Sequence, residues 1–298
     1  TSEITFQNII SLRNLNWEYG SPNYSNIVIV NFPSLDRIQG NLILNYEYSL
    51  REFNAPKLRD VGTALRVDHN NIEKFLLPNL QYVGGESGII SNNENLNELD
   101  LSNLEGNNDR CCGSFQIYNN DSLIEINLDS FYKHRRNYGY HDQFSIYENL
   151  NLKIIHFGAD IDFEAYIRIY RNENLEEINF TNLTNVQSGQ IEIHHNQSLK
   201  KINFDSLKSS NYVKDKQDWR EPHIFINNNS LLEEINAPSL EDFYKITIDN
   251  NDSLSEVIFP ELTTVHKNLS VQNNGSLSKI HMPKLETTGD KVYNQNSF

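Results

Sequence analysis

The sequence predicts an all-β fold, a right-handed β-helix or β-solenoid of about eleven coils of roughly 23 residues each. Three observations carry that prediction. One motif recurs along the chain, its residues alternate apolar and polar with period two, and an Asn returns at the same place in nearly every copy.

The motif is plainest where IRIYRNENLEEINFTNL from Ile167 aligns with IEIHHNQSLKKINFDSL from Ile191, ITIDNNDSLSEVIFPEL from Ile246 and LSVQNNGSLSKIHMPKL from Leu269. The shared form is apolar-x-apolar-x-x-Asn-x-x-Leu-x-x-Ile-x-Phe-x-x-Leu. Related copies start at Leu42, Leu65, Gly88, Phe115, Phe144 and Ile224, an irregular first copy starts at Ile4, and VYNQN from Val292 opens another. Alternation of the type Phe115-Gln116-Ile117-Tyr118 and Ile126-Asn127-Leu128 fits short strands, whereas a helix would need a 3.6-residue period. Asn, Ser and Asp after each first strand favour bends.

The recurring Asn stands at Asn70, Asn93, Asn120, Asn149, Asn172, Asn196, Asn251 and Asn274. At a coil corner its amide can bond both the turn backbone and the Asn of the next coil, satisfying groups that stacking buries. For that reason the sequons at Asn120, Asn196, Asn251 and Asn274 are read as structural, and Asn23-Tyr-Ser as the better glycosylation acceptor.

Residues 1–298 are read as one solenoid domain with insertions at 13–26, 106–114, 132–143 and 208–223. The chain opens at Thr1 without an initiator Met, which fits a leader or tag already removed. A hydrophobic fraction of 38% suffices for a core. Lys and Arg number 25 against 40 Asp and Glu, a net charge of -15 that repels a phosphate backbone and argues against nucleic acid. No apolar run approaches the ~20 residues that span a membrane. The only cysteines, Cys111 and Cys112, are adjacent and provide no disulfide framework.

The blocks SLREFNAPKLRDVG (49–62), NIEKFLLPNLQYVGG (71–85) and SLSEVIFPELTTV (253–265) give the chain a further resemblance. It resembles the receptor L-domain family, the β-helices of insulin- and EGF-receptor ectodomains and their relatives in fungal cell-wall and bacterial surface proteins. The resemblance implies a right-handed β-helix with a binding or adhesive role. Cysteine-capped ends and a following Cys-rich module are absent, so a microbial surface or secreted protein, extracellular or at the cell surface, fits better than a receptor fragment. The nearest alternative fold is a leucine-rich-repeat horseshoe.

Aligned coils also predict surface ladders. One runs Asn45, Asp68, Ser91, Tyr118, Tyr147, Tyr170, His194, Asn227, Asp249, Gln272; two residues earlier runs Ile43, Arg66, Ile89, Gln116, Ser145, Arg168, Glu192, Phe225, Thr247, Ser270. Tyr118, Tyr147, Tyr170 and His194 are expected to offer ring faces to a glycan or protein partner. The 132–143 insertion adds His134, Arg135, Arg136, Tyr138 and Tyr140 beside them, as a basic and aromatic wall. Stacked tyrosines also stabilise neighbouring strands with no ligand at all.

Catalysis is expected to be absent. Glycan cleavage needs paired carboxylates, or a base with Arg or calcium beside it; Glu192 beside Arg168, with His194 and His195 nearby, is the only cluster on the ladder resembling this, and cross-strand ion pairs of this type are usually structural. His194 and His195, adjacent in sequence, are expected to point to opposite faces or into a turn, so no metal site is predicted. No cofactor is expected.

Overall fold

The computed structural model describes residues 2–18, 26–84, 87–107, 114–130, 143–158, 166–186, 189–210, 221–289 and 291–295. Among them every strand pairing is parallel and no helix occurs. The fold is a β-solenoid of about ten turns, with two compact units, Thr1–Leu152 and Lys153–Phe298.

In the first unit each turn contributes up to three strands. The long strands Leu15–Glu18, Leu42–Asn45, Ala64–Asp68, Ser87–Ser91, Ser114–Tyr118 and Gln143–Tyr147 pair in that order. A second row holds Ser2–Thr5, Ile27–Asn31, Glu52–Asn54, Lys74–Leu76 and Glu98–Asp100. A third row of two-residue strands runs from Ser11–Leu12 to Gly106–Asn107.

The second unit repeats the plan with long strands Tyr166–Tyr170, Gln190–His194, His223–Asn227, Lys245–Asp249, Asn268–Gln272 and Lys291–Gln295. Its second row runs from Ile154–Phe157 to Lys279–His281, and its third comprises Asp242–Phe243, Thr264–Val265 and Thr287–Thr288. A strand in place of a helix on the return path separates this fold from the horseshoe, whose repeats carry a strand plus a helix or 3₁₀ turn.

The aligned registers agree with the motif: Tyr118 pairs with Tyr147, Arg168 with Glu192, and Tyr170 with His194. Two boundaries differ. The copy assigned to Ile4 belongs to the second row, where Ile4 pairs with Val30, and the long strand of that turn is Leu15–Glu18, with Trp17 against Leu44. Part of the 13–26 insertion is therefore regular repeat. Gly106–Asn107 likewise pairs with Tyr82–Val83, so the 106–114 insertion begins later than its sequence suggests.

Ten of the long strands end in a tight corner. Tyr46, His69, Asn92, Asn119, Glu148, Arg171, His195, Asn228, Asn250 and Asn273 adopt left-handed backbone, with φ between 52° and 62°. Such a conformation costs a non-glycine residue about 1 kcal/mol or more, and Asn least. The corner offsets that cost by aiming backbone groups at neighbouring turns: His69 N–H donates to Ser91 O at 3.2 Å and Asn250 N–H to Gln272 O at 3.1 Å.

Immediately after every corner but the first, at Tyr46, comes a buried Asn. In the second unit Asn229 N–H donates to Asn251 Oδ1 at 3.1 Å, and Asn251 N–H to Asn274 Oδ1 at 2.9 Å. Asn251 Nδ2 also donates to Ile226 O, in the preceding turn, at 3.2 Å. The first unit builds the same ladder through Asn70, Asn93, Asn120 and Asn149. Its head is Glu47, whose N–H donates to Asn70 Oδ1 at 2.7 Å. Asn120, Asn196 and Asn251 are 0% exposed and Asn274 1%, which closes their sequons to a glycosylating enzyme. Asn23 lies outside the described residues.

Inward residues form continuous stacks along each unit. Phe115 lies on Phe144 with centroids 5.5 Å apart, and Phe157, Phe180 and Phe204 stack at 5.0 and 4.9 Å. Fully burying one such side chain contributes about 1.5–3 kcal/mol. Gly88 faces Phe115, where a Cβ would meet the ring at 2.1 Å. Gly88→Val is therefore expected to destabilise the chain by about 1–3 kcal/mol in urea unfolding. Adding Phe115→Leu should recover part of that loss; equal stability of Gly88→Val and the parent would contradict this packing.

Candidate functional site

Whatever stands on the outer side of the long strands is positioned by the corner and the Asn ladder, which fix the register. In the first unit the Tyr118 and Tyr147 rings are stacked, with centroids 4.6 Å apart and planes 8° from parallel. The Tyr147 hydroxyl donates to Gln116 Oε1 at 3.2 Å. This changes what the pair presents. The facing ring surfaces cover one another, so edges and hydroxyl groups are offered more than the open faces expected from the sequence.

The same outer rows are partly closed elsewhere. Ser91 is 0% and Ser145 1% exposed. Ser91 Oγ donates to Asp68 Oδ1 at 2.7 Å, and Asn92 Nδ2 donates to the same oxygen at 2.9 Å. Short side chains between larger neighbours are simply covered by them.

In the second unit Tyr170 stacks on His194, centroids 5.1 Å apart and 12° from parallel. One row away Arg168 Nε lies 2.8 Å from a Glu192 carboxylate oxygen. The pair is partly exposed, a setting in which an ion pair contributes about 0–1 kcal/mol. Its charge matched by Arg168, Glu192 sits in a cross-strand ion pair.

Of their two expected placements, His194 and His195 take the turn. The left-handed backbone of His195, φ 57°, turns its ring beside that of His194. The two Nδ1 atoms are 2.9 Å apart and the rings meet edge-on at 86°. Strand alternation fails because the second residue already belongs to the corner. Burial pushes His194 down to about 4, with the charges of His195, Arg168 and Arg171 acting in the same direction.

A deeper histidine shares that behaviour. His223 is buried at the start of its strand, with Nε2 2.9 Å from Thr247 Oγ1. Burial, assisted by Lys245, pushes it down to about 3.

His134, Arg135, Arg136, Tyr138 and Tyr140 lie outside the described residues, as do Cys111 and Cys112. The chain around them does keep to one rule in the first unit: segments 108–113 and 131–142 each lead directly into a long strand. In the second unit 159–165 and 211–220 also precede long strands. The bounds of the 208–223 insertion again change, because Ser209 forms a parallel bridge with Asn185 and His223 opens a strand. Among the described residues no group of three His, Cys, Asp or Glu is arranged to hold a metal ion. No helix among them is long and apolar enough to cross a membrane.

Residues 140–212 match the Receptor L domain family. The matched stretch takes in Tyr147, Arg168, Tyr170, Glu192 and His194, together with Tyr140. A receptor L-domain match supports a binding or recognition module. No curated protein matches the chain. Among solved structures, a leucine-rich repeat protein from Bacteroides ovatus is similar at 15% identity, covering 97% of this chain and 74% of that one, with a TM-score of 0.31.

Histidines held neutral in the fold bind fewer protons than in the unfolded chain, where they titrate near 6.5. Stability is therefore complete above about pH 6.5 and is lost as pH falls toward the folded values of about 4 and 3. Most carboxylates titrate below pH 5, so the interval from 6.5 to 5 reports mainly on histidine. Urea unfolding across that interval should show stability falling with acid, and His223→Gln should flatten the fall. A pH-independent parent would contradict the burial of His223.

Proposed function

We propose that the chain is a non-catalytic recognition or adhesion module that binds a glycan or a protein partner through the aromatic groups on its long strands. The observation that carries this reading is the aromatic pair in each unit, Tyr118 with Tyr147 and Tyr170 with His194, standing among polar residues. Stacking already immobilises these rings, so little side-chain entropy remains to be lost when a ligand arrives. The ring edges of these half-buried groups, with the tyrosine hydroxyls, suit hydrogen-bonding partners, as sugar hydroxyls or polypeptide backbone would be.

Arg168 and Glu192 add a charge-paired polar rim to the second pair. His134, Arg135, Arg136, Tyr138 and Tyr140 are proposed as further contacts, since their segment leads into the strand that carries Tyr147. The receptor L-domain match supports both the binding role and an extracellular or cell-surface location.

Replacing Tyr118, Tyr147 and Tyr170 together by Ala tests the proposal. Capture on glycan arrays and on cell surfaces should fall at least tenfold, the effect of about 1.4 kcal/mol of lost binding, while circular dichroism keeps its strand signature. Glycan capture would identify a carbohydrate ligand; capture only by protease-sensitive cells would identify a protein. Undiminished capture by a folded triple variant would overturn the assignment.

A further inference from the structure

The meeting of His194 and His195 has a chemical consequence separate from the recognition reading. Two imidazole Nδ1 atoms 2.9 Å apart are in hydrogen-bond contact. A neutral imidazole carries one N–H, so one ring donates from Nδ1 and the other accepts there, its own proton standing on Nε2. If the donor ring shifts its proton to Nε2, both Nδ1 lone pairs become available in the same small space. The rearrangement releases no net proton, because each ring still has one N–H.

Neutral imidazole nitrogen is a preferred ligand for zinc, nickel and copper, and not for magnesium or calcium. A tetrahedral zinc with Zn–N distances of about 2.0–2.1 Å places two nitrogens about 3.3–3.4 Å apart. The present 2.9 Å separation is short of that by about half an ångström. Closing that gap on a metal requires both rings to turn so that their lone pairs converge on one point, with the backbone fixed. His194 is anchored in the strand by its register with Tyr170 and Asn227, and His195 N–H donates to Asn227 O at 3.2 Å. The stacked Tyr170 limits the directions in which the His194 ring can turn.

We infer that His194 and His195 form a two-histidine chelating site for a divalent transition-metal ion, with both Nδ1 atoms as ligands and water or a ligand group completing the shell. Open coordination positions are characteristic of sites that bind an exogenous group, in contrast to closed four-ligand structural sites. Arg168 and Arg171 oppose a further positive charge there, although Glu192 lies 2.8 Å from Arg168 and offsets part of it. Affinity is accordingly moderate, with nickel and copper held more tightly than zinc, apart from exceptions of geometry.

Calorimetric titration of the whole chain with zinc(II), nickel(II) or magnesium(II) tests this site. Zinc and nickel should each give a saturable event that disappears in His194→Gln and in His195→Asn, and magnesium should give none. Asn is chosen at 195 because it tolerates left-handed backbone, and circular dichroism checks that both variants fold. Nitrogen-15 spectra should place the metal-induced shifts on the Nδ1 atoms of these two residues. Absence of a saturable event in the parent would overturn the inference. Zinc binding that survives both replacements would also overturn it, locating the ion on other groups such as Cys111, Cys112, His134 or His141. Neither result bears on capture by the tyrosines, so the two readings fail independently.

Discussion

The structure depends first on one constraint: a chain that turns sharply at every coil must still satisfy the backbone groups that stacking takes out of water. A stranded buried donor or acceptor costs about 1–3 kcal/mol, and the corner recurs at every turn. The buried Asn meets this demand because it alone combines a short side chain with both an acceptor and two donors. Its Oδ1 accepts from the preceding turn, and its Nδ2 donates both to a carbonyl of the preceding strand and to the Oδ1 of the next turn's Asn, as Asn93 does to Val67 O at 3.0 Å and to Asn120 Oδ1 at 3.1 Å. Apolar burial supplies most of the cohesion, but it is non-directional. The amide ladder gives each unit its register.

Register in turn decides what the surface can be. A shift by one residue would exchange inward isoleucines for outward tyrosines. Because the corners hold, Tyr118 meets Tyr147 and Tyr170 meets His194, and aromatic residues that would be scattered in a less regular fold become ordered pairs. The same corner brings His195 back onto His194. Fold regularity and candidate chemistry thus have a common origin, in the left-handed residue and the Asn that follows it.

Much of this architecture was legible in the sequence. Period-two alternation, the Leu and Ile spacing and the repeated Asn together predicted parallel strands and their registers. Asn229 escaped notice because it ends the run Asn227-Asn228-Asn229, in which no single Asn stands out. The left-handed corners were hidden for a different reason: Asn holds five of the ten, but Tyr46, His69, Glu148, Arg171 and His195 hold the others, so no single residue type marks the position. Of the two placements expected for His194 and His195, opposite faces or a turn, the corner selects the turn. The tyrosine rows were legible as positions, whereas their mutual covering needed the ring geometry. Insertion bounds were overextended where polar residues such as Asn16 and Asn107 stand in genuine strands.

Asn251 gives the most direct test of the central claim. Its side chain is fully buried, accepts from Asn229 N–H at 3.1 Å and Nδ2–H at 3.2 Å, and donates to Ile226 O and Asn274 Oδ1. Leucine reproduces the branched outline of the Asn side chain with bulkier apolar groups, so Asn251→Leu removes the hydrogen bonds while keeping the site filled. The free energy of unfolding in urea should fall by about 3 kcal/mol or more, as several buried partners lose their bonds at once. An Asn251→Leu chain as stable as the parent, or more stable, would contradict the claim that the amide ladder holds the coils in register.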